Sequence, residues 1–132
     1  MARSSLLEKD IQKVILEWLN YQSRMFVWRQ NSGARGENYT RKSDGMQSRH
    51  FFKTASVDGI SDIMGVWDGH PLAIEVKRPG EKPTDNQEAF LNNFARAGGI
   101  AIVAHSLEQV QESFKRVVEM QRPFEGIYIR NL

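Results

Sequence analysis

Three segments of the chain repeat apolar residues at the spacing of an α-helix. The first covers residues 6–21 with Ser4 or Ser5 as a candidate cap, the second opens at Thr84 and ends at Gly98-Gly99, and the third follows Ser106. The second and third begin with a Ser/Thr-x-x-Gln capping-box pattern. Their predicted buried positions are Leu7, Ile11, Val14, Ile15, Trp18 and Leu19, then Ala89, Phe90, Leu91, Phe94, Ala95 and Ala97, then Leu107, Val110, Phe114, Val117 and Val118.

Short apolar runs between these segments predict β-strands at 25–28, 60–67, 71–77 and 100–104, with a further edge strand at 126–130. The dipeptide Asp68-Gly69 is a strong hairpin signal between the second and third runs. The strand, helix and strand from 71 to 104 form a βαβ unit, whose strands should run parallel. The sequence therefore predicts an α/β fold of order α-β-β-β-α-β-α, with a mixed sheet flanked by helices.

Residues 32–56 differ in character, because they are rich in Gly, Ser and Arg and predict a long loop or arm. Their charged side chains give a net charge of +3, from Arg35, Arg41, Lys42, Arg49 and Lys53 against Glu37 and Asp44. A basic segment of this kind can bind nucleic acid through its phosphates. The alternative is an ordinary solvated loop.

Composition narrows the class of protein. A chain of 132 residues that is 40% hydrophobic predicts one domain, residues 1–132, with its own core. The absence of cysteine excludes disulfides, thiolate zinc sites and a cysteine nucleophile. No apolar run approaches the ~20 residues of a membrane span, and the start MARSSLLEKDIQ turns polar too early for a signal peptide. We therefore expect a soluble, cytoplasmic protein with no membrane partner.

The hairpin register places two acids together. A two-residue turn at Asp68-Gly69 pairs Trp67 with His70 and, counting back along both strands, Asp62 with Glu75. Side chains directly opposite one another have Cβ atoms ~5 Å apart, and two like charges there destabilise the sheet. A bound divalent cation such as Mg²⁺ would compensate both carboxylates.

Two further polar groups are candidates beside this pair. Lys77 shares a strand face with Glu75, where it could hold a water or stabilise developing charge, and Glu8 lies on the buried stripe of the first helix. In the alternative interpretation, Lys77 and the acids form salt bridges on an exposed sheet face, and Glu8 only stabilises a helix N-terminus. Gln87 can contact the site or simply complete the capping box of Thr84.

An ordered set of short motifs resembles the VRR-NUC domain, the virus-type replication-repair nuclease branch of the PD-(D/E)XK superfamily. The match covers about residues 6–107 in the family's order, and one departure is Ser61, where the family usually has proline. The motifs are Glu8-x-x-Ile11-Gln12, Trp28-Arg29-x-Asn31-Ser32-Gly33-Ala34, Gly59-Ile60-Ser61-Asp62-Ile63-Met64-Gly65, Ile74-Glu75-Val76-Lys77, Gln87-x-x-Phe90 and Gly98-Gly99.

The resemblance implies hydrolysis of DNA phosphodiesters with Mg²⁺ or Mn²⁺. By this similarity Asp62, Glu75 and the Val76 carbonyl bind the metal, Lys77 orients or activates water, Glu8 completes the acidic cluster and Gln87 supports the site. Members consisting of this module alone resemble junction-resolving enzymes that act as homodimers on branched DNA such as four-way junctions. They occur in phages, which would place this chain in the host cytoplasm.

The expected nucleic-acid contacts follow the first strand. They are Arg29, Asn31, Arg35, Arg41, Lys42, Arg49 and Lys53. The alternative for Arg29 and Asn31 is a strand end followed by an Asn-Ser-Gly turn. Two other functions remain open at this point: a DNA-binding or dimerisation module that keeps the fold without catalysis, and a restriction-type endonuclease.

Overall fold

The computed structural model describes residues 7–30, 34–40, 47–53, 57–120 and 125–132. Its helices are α1 (Glu8–Asn20), α2 (Asp85–Arg96) and α3 (Leu107–Glu119). Its strands are β1 (Met25–Arg29), β2 (Ala34–Thr40), β3 (Gln47–Lys53), β4 (Ile63–Trp67), β5 (His70–Val76), β6 (Ile100–Ala104) and β7 (Ile127–Arg130). Each predicted helix and strand is present, so the α/β prediction is confirmed.

A five-stranded sheet of order β1-β4-β5-β6-β7 organises the fold. β1, β4 and β5 pair antiparallel, while β5, β6 and β7 pair parallel, so the sheet is mixed as predicted. The turn between β4 and β5 has Asp68 at φ 48° and Gly69 at φ 81°, the positive values that a tight two-residue hairpin requires. Trp67 consequently pairs with His70 and Ile63 with Ile74, which confirms the predicted register.

The two faces of the sheet carry separate apolar layers. Helices α1 and α3 cover one face, where Ile15, Ile63 and Ile74 are fully buried. Helix α2 covers the other face over β5, β6 and β7, with Leu91 packed among Ala73, Ala101 and Val103. Because β5 and β6 are covered on both sides, their sequences are apolar almost without interruption.

Several predicted details of the helices were wrong. The buried stripes are narrower than expected, since Val14 and Val118 are largely exposed and Leu7, Ala89 and Ala97 also face solvent. The residue that caps α1 is Leu7, whereas Ser4 and Ser5 lie outside the described residues.

The two predicted capping boxes had different outcomes. Thr84 and Gln87 form the box of α2, with hydrogen bonds of 2.9 and 3.3 Å in opposite directions. At α3 the Ser106 hydroxyl accepts from the Gln109 amide, but Gln109 Oε1 accepts from the His105 amide, one residue before the cap. The second box is therefore only half formed.

The basic segment contains regular structure that the sequence pattern did not predict. β2 and β3 pair antiparallel from Ala34↔Lys53 to Thr40↔Gln47 and form a separate two-stranded sheet. The prediction of a long loop was thus wrong for residues 34–40 and 47–53, whose backbone groups pair with each other, while the alternative of an arm stays a prediction. Along the described ranges, no helix has the length and apolar character needed to cross a membrane.

Candidate active site

Asp62 lies just before β4, opposite Glu75 on β5. Its carboxylate Oδ2 accepts a hydrogen bond of 2.8 Å from the Val76 backbone amide, and its carbonyl accepts one of 2.6 Å from the Gln30 amide. These two bonds fix the Asp62 backbone to β1 and its carboxylate to β5. The face-to-face arrangement of the two acids follows the predicted register.

Glu75 is the most deeply buried acid among the described side chains, at 1% exposure. Its Oε1 has no hydrogen-bond partner in the structure. Burial, followed by a hydrogen bond and charge repulsion from the Asp62 carboxyl, raises the pKa of Glu75 to about 10. In the protein without a cation, Glu75 is therefore protonated at neutral pH. An orphaned buried oxygen is costly, and a cation at this position would remove that cost.

Lys77 lies two residues beyond Glu75 and is almost buried, with 9% of its surface exposed. Its backbone amide donates to the carbonyl of Ala104 at 3.0 Å, which extends the pairing of β5 with β6. Its ammonium lies 4.0 Å from Glu8 Oε1. The positive charge also acts on Glu75, where it lowers the pKa against the larger effect of burial. Lys77 thus joins the acid pair to the start of α1.

Glu8 is the first residue of α1 and borders this group, with 35% of its side chain exposed. Burial raises its pKa, Lys77 lowers it, and a hydrogen bond with Glu81 raises it further. Sequence reasoning missed Glu81. This residue is held by Arg78, whose guanidinium donates to its carboxylate at 2.8 and 3.0 Å. The spacing Arg78-x-x-Glu81 directly after Lys77 was the only signal for it.

The donors around the acid pair are carboxylate and backbone oxygens. Within the described ranges, no three His, Asp or Glu side chains are placed to hold a metal together. Glu8 therefore stands beside the Asp62–Glu75 pair and pairs with Lys77, without converging on one point with the two acids. Two carboxylates, one of them with an unpartnered oxygen, are hard oxygen donors that suit Mg²⁺ or Mn²⁺. The residues fit a divalent cation held by two acids and completed by backbone and water oxygens.

Gln87 caps the N-terminus of helix α2. Its Oε1 accepts from the Thr84 amide, as the capping-box alternative predicted. The turn that contains Asn86 and Gln87 presses on Gly59, which has φ 73° and where an added Cβ would overlap the Asn86 carbonyl oxygen. Glycine is required at this contact between the first turn of α2 and the loop leading to Asp62. A direct role of Gln87 in the reaction stays a prediction.

The predicted nucleic-acid contacts are only partly described. Arg29 is exposed at the end of β1, and its guanidinium donates to the carbonyl oxygen of Lys9 at 3.3 Å. The structure places the backbones of Arg35, Arg49 and Lys53 on β2 and β3. Outside the described residues lie Asn31, Arg41 and Lys42.

Two other residues bear on the site without having been identified as candidates. Gln30 lies opposite Asp62, a position that only the pairing of β1 with β4 reveals. Ser61 is fully buried and its hydroxyl has no partner. The departure from proline at that position thus leaves an unsatisfied polar group next to Asp62.

Comparisons with known proteins show the family and the fold. The sequence profile of the VRR-NUC domain matches residues 6–108. A solved structure described as a "VRR_NUC domain protein" has a TM-score of 0.54 and 18% sequence identity, over 95% of this chain and 94% of that one. At this identity the likeness shows the fold. No curated protein matches the sequence.

Proposed function

Since the chain belongs to the VRR-NUC domain family, a nuclease domain of the PD-(D/E)XK type, we propose that it is a divalent-metal-dependent endonuclease that hydrolyses phosphodiesters of branched DNA. The observation that carries this proposal is the buried Glu75 carboxyl, which faces Asp62 and has an oxygen without a partner. A purely structural acid at this position would be expected to have that oxygen satisfied.

In the proposed reaction the chain's own groups have separate tasks. Asp62, Glu75 and the Val76 carbonyl would hold Mg²⁺ or Mn²⁺, which polarises the scissile phosphate and lowers the pKa of bound water. The Val76 amide donates to Asp62 Oδ2 and so fixes that carboxylate before any ligand arrives. Lys77, nearly buried beside the pair, is placed to orient the attacking water or to stabilise charge on the phosphate. Glu8 pairs with the Lys77 ammonium and holds it in position.

The preference for branched DNA and a homodimeric state extend the proposal. Both are supported by the family resemblance and by the β2–β3 hairpin, which forms a separate two-stranded sheet. A second candidate is a DNA-binding or dimerisation module without catalysis. The presence of both acids and Lys77 in one group, with Glu75 and Lys77 buried, favours the nuclease.

A substrate panel tests the proposed function. The full chain is incubated with a four-way junction, the same sequence as linear duplex, and a single strand, each with Mg²⁺, Mn²⁺ or EDTA. We expect cleavage of the junction with either metal and none in EDTA, because EDTA removes the cation from the carboxylates. Junction binding without cutting under every condition would instead identify the non-catalytic module. Equal cutting of the linear duplex would remove the branched-DNA preference.

A separate prediction concerns the basic residues of segment 32–56. Reversing Arg41, Lys42 and Arg49 to Glu should weaken DNA binding for all sequences alike. It should also reduce the slope of log affinity against log salt by about 0.9 for each phosphate that the variant no longer neutralises. Fluorescence anisotropy over a salt series measures this slope.

A matched charge reversal separates direct phosphate binding from net charge. Lys13, Lys115 and Arg116 are exposed on α1 and α3, on the sheet face opposite the acid pair. Changing these three to Glu alters the net charge equally and should leave the salt slope close to that of the wild type. Equal slopes for both triple variants would mean that residues 32–56 form an ordinary solvated loop.

A further inference from the structure

Two aromatic rings lie on a part of the sheet that no described helix covers. Helix α2 packs over β5, β6 and β7, and Met64 of β4 joins its apolar layer, but the same face stays open to solvent at Phe26, Trp28 and Val66. On this open face Phe26 is 71% exposed, Trp28 44% and Val66 42%. The ring centroids of Phe26 and Trp28 are 5.8 Å apart. We call Phe26 and Trp28 the aromatic platform; Val66 borders it.

The register places the aromatic platform beside the acid pair. Trp28 pairs with Met64, and Phe26 with Val66, so these side chains share one face of the sheet. The next position along that face pairs Gln30 with Asp62, and Asp62 in turn faces Glu75. Trp28 is thus only two residues along the strand from the row that contains both acids.

The indole of Trp28 is held in place. Its Nε1 donates a hydrogen bond of 3.0 Å to Gln30 Oε1, and the Gln30 amide donates to the Asp62 carbonyl at 2.6 Å. A continuous set of bonds therefore connects the ring to the backbone of a candidate metal ligand. An exposed aromatic ring fixed in this way loses little conformational entropy when a flat ligand stacks on it.

We propose that the aromatic platform stacks unpaired nucleobases of the DNA next to the phosphate held at the acid pair. This proposal rests on the proposed function and specifies its substrate class: DNA whose bases are unpaired or splayed apart beside the cleavage position. Base pairs in an intact duplex are stacked on each other and offer no free face to a ring. Exposed aromatics on a sheet are a recurrent means of holding single-stranded bases.

The size of the surface favours nucleobases over a second copy of the chain. A stable protein interface involves roughly 20–30 residues on each side, whereas the aromatic platform and Val66 together are three. The platform is also continuous with the acid pair, as expected for a surface that positions substrate.

Binding measurements with ring-truncated variants test this proposal. Phe26→Ala and Trp28→Ala are compared with Tyr21→Ala, a matched control whose ring is 88% exposed at the C-terminal end of α1. Anisotropy in EDTA measures affinity for a fully paired duplex and for a duplex with splayed single-stranded arms. We expect each platform variant to bind splayed DNA roughly 5- to 100-fold more weakly and paired duplex almost unchanged. Tyr21→Ala should behave as the wild type with both.

Ring-conserving changes give a second readout. Trp28→Phe and Phe26→Tyr should retain most of the affinity for splayed DNA. Quenching of tryptophan fluorescence by that DNA should be largely lost in Trp28→Phe, since Trp28 is the ring on which the base stacks. Equal affinities of all variants for splayed DNA, or unaltered quenching in Trp28→Phe, would overturn the proposal.

Sedimentation of Val66→Ser tests whether a second copy of the chain, instead of DNA, covers this surface. Val66 borders the aromatic platform and cannot stack a base, so this variant should keep both its affinity for splayed DNA and the wild-type mass. A dimer that dissociates in Val66→Ser and Phe26→Ala alike would show that the surface joins two copies, and would refute base stacking.

If the wild type binds splayed DNA through the platform but cuts nothing with metal, the nuclease proposal fails. If cleavage is intact in Phe26→Ala and Trp28→Ala with unchanged binding, only the platform fails.

Discussion

Glu75→Gln should reduce the rate of DNA cleavage by about a thousandfold or more, without destabilising the metal-free protein. The loss is large because a neutral amide is a poor replacement for a carboxylate that holds a divalent cation, whose stabilisation of the transition state amounts to several kcal/mol. The stability is kept because Glu75 is buried and protonated in the absence of metal. An amide of the same shape fills the same space and carries no ionisable group.

The opposite pattern is expected for a carboxylate of α2 outside the site. Glu88 accepts a hydrogen bond of 2.6 Å from the Tyr128 hydroxyl and pairs with Arg130 at 3.2 Å. Glu88→Gln should therefore cut DNA at the wild-type rate, while thermal unfolding shows a lower midpoint. Gel assays with Mg²⁺ and unfolding scans in EDTA distinguish the two variants. Appreciable cleavage by Glu75→Gln would disprove the site assignment.

The stability of the metal-free protein should fall as the pH rises, and Glu75 should be a major cause. Its folded-state pKa of about 10 lies well above the ordinary value of 4.5. Between these two values the folded chain binds a proton that the unfolded chain has released. The free energy of unfolding consequently decreases with increasing pH in this window, by at most about 1.4 kcal/mol per pH unit for one proton.

Divalent cations should reverse this dependence. The metal binds the deprotonated carboxylates, so its stabilisation of the folded state grows with pH as the proton is displaced more easily. Urea unfolding of wild type and Glu75→Gln at about pH 6 and pH 9, in EDTA and in Mg²⁺, measures both effects. The variant should have a flatter pH dependence in EDTA and little response to Mg²⁺. Parallel curves for the two proteins would mean that Glu75 does not hold this proton.

The acid pair was predictable because its geometry depends on local chemistry. A two-residue turn at Asp68-Gly69 sets the register of β4 and β5, and strand alternation then decides which side chains meet. Glu8 could also be placed on the buried stripe of α1 by helical periodicity. Its direct pairing with Lys77 and its contact with Glu81 could not be inferred from spacing, since helix packing against a sheet has no comparable counting rule.

The residues of β1 that border the acid pair could be located only from the pairing of strands that are distant in the chain. β1 and β4 are neighbours in the sheet, but residues 30–62 separate them in the chain. Nothing in the local sequence indicates that Trp28 pairs with Met64, or that Gln30 lies opposite Asp62. The position of the aromatic platform was therefore apparent only in the structure. The pairing of β2 with β3 was missed for a different reason, because its glycine and polar residues lack the usual apolar alternation.

In the chain, β2 and β3 lie between β1 and β4, and β1 and β4 are direct neighbours in the five-stranded sheet. Because β2 and β3 are inserted between two neighbouring strands, the length and sequence of the insertion can change while the hydrogen bonds that align Gln30, Asp62 and Glu75 are kept. Evolution can thus modify the appendage in one lineage after another while the chemistry stays constant. We expect homologues to diverge most in this hairpin, as each adapts to the DNA forms that it meets.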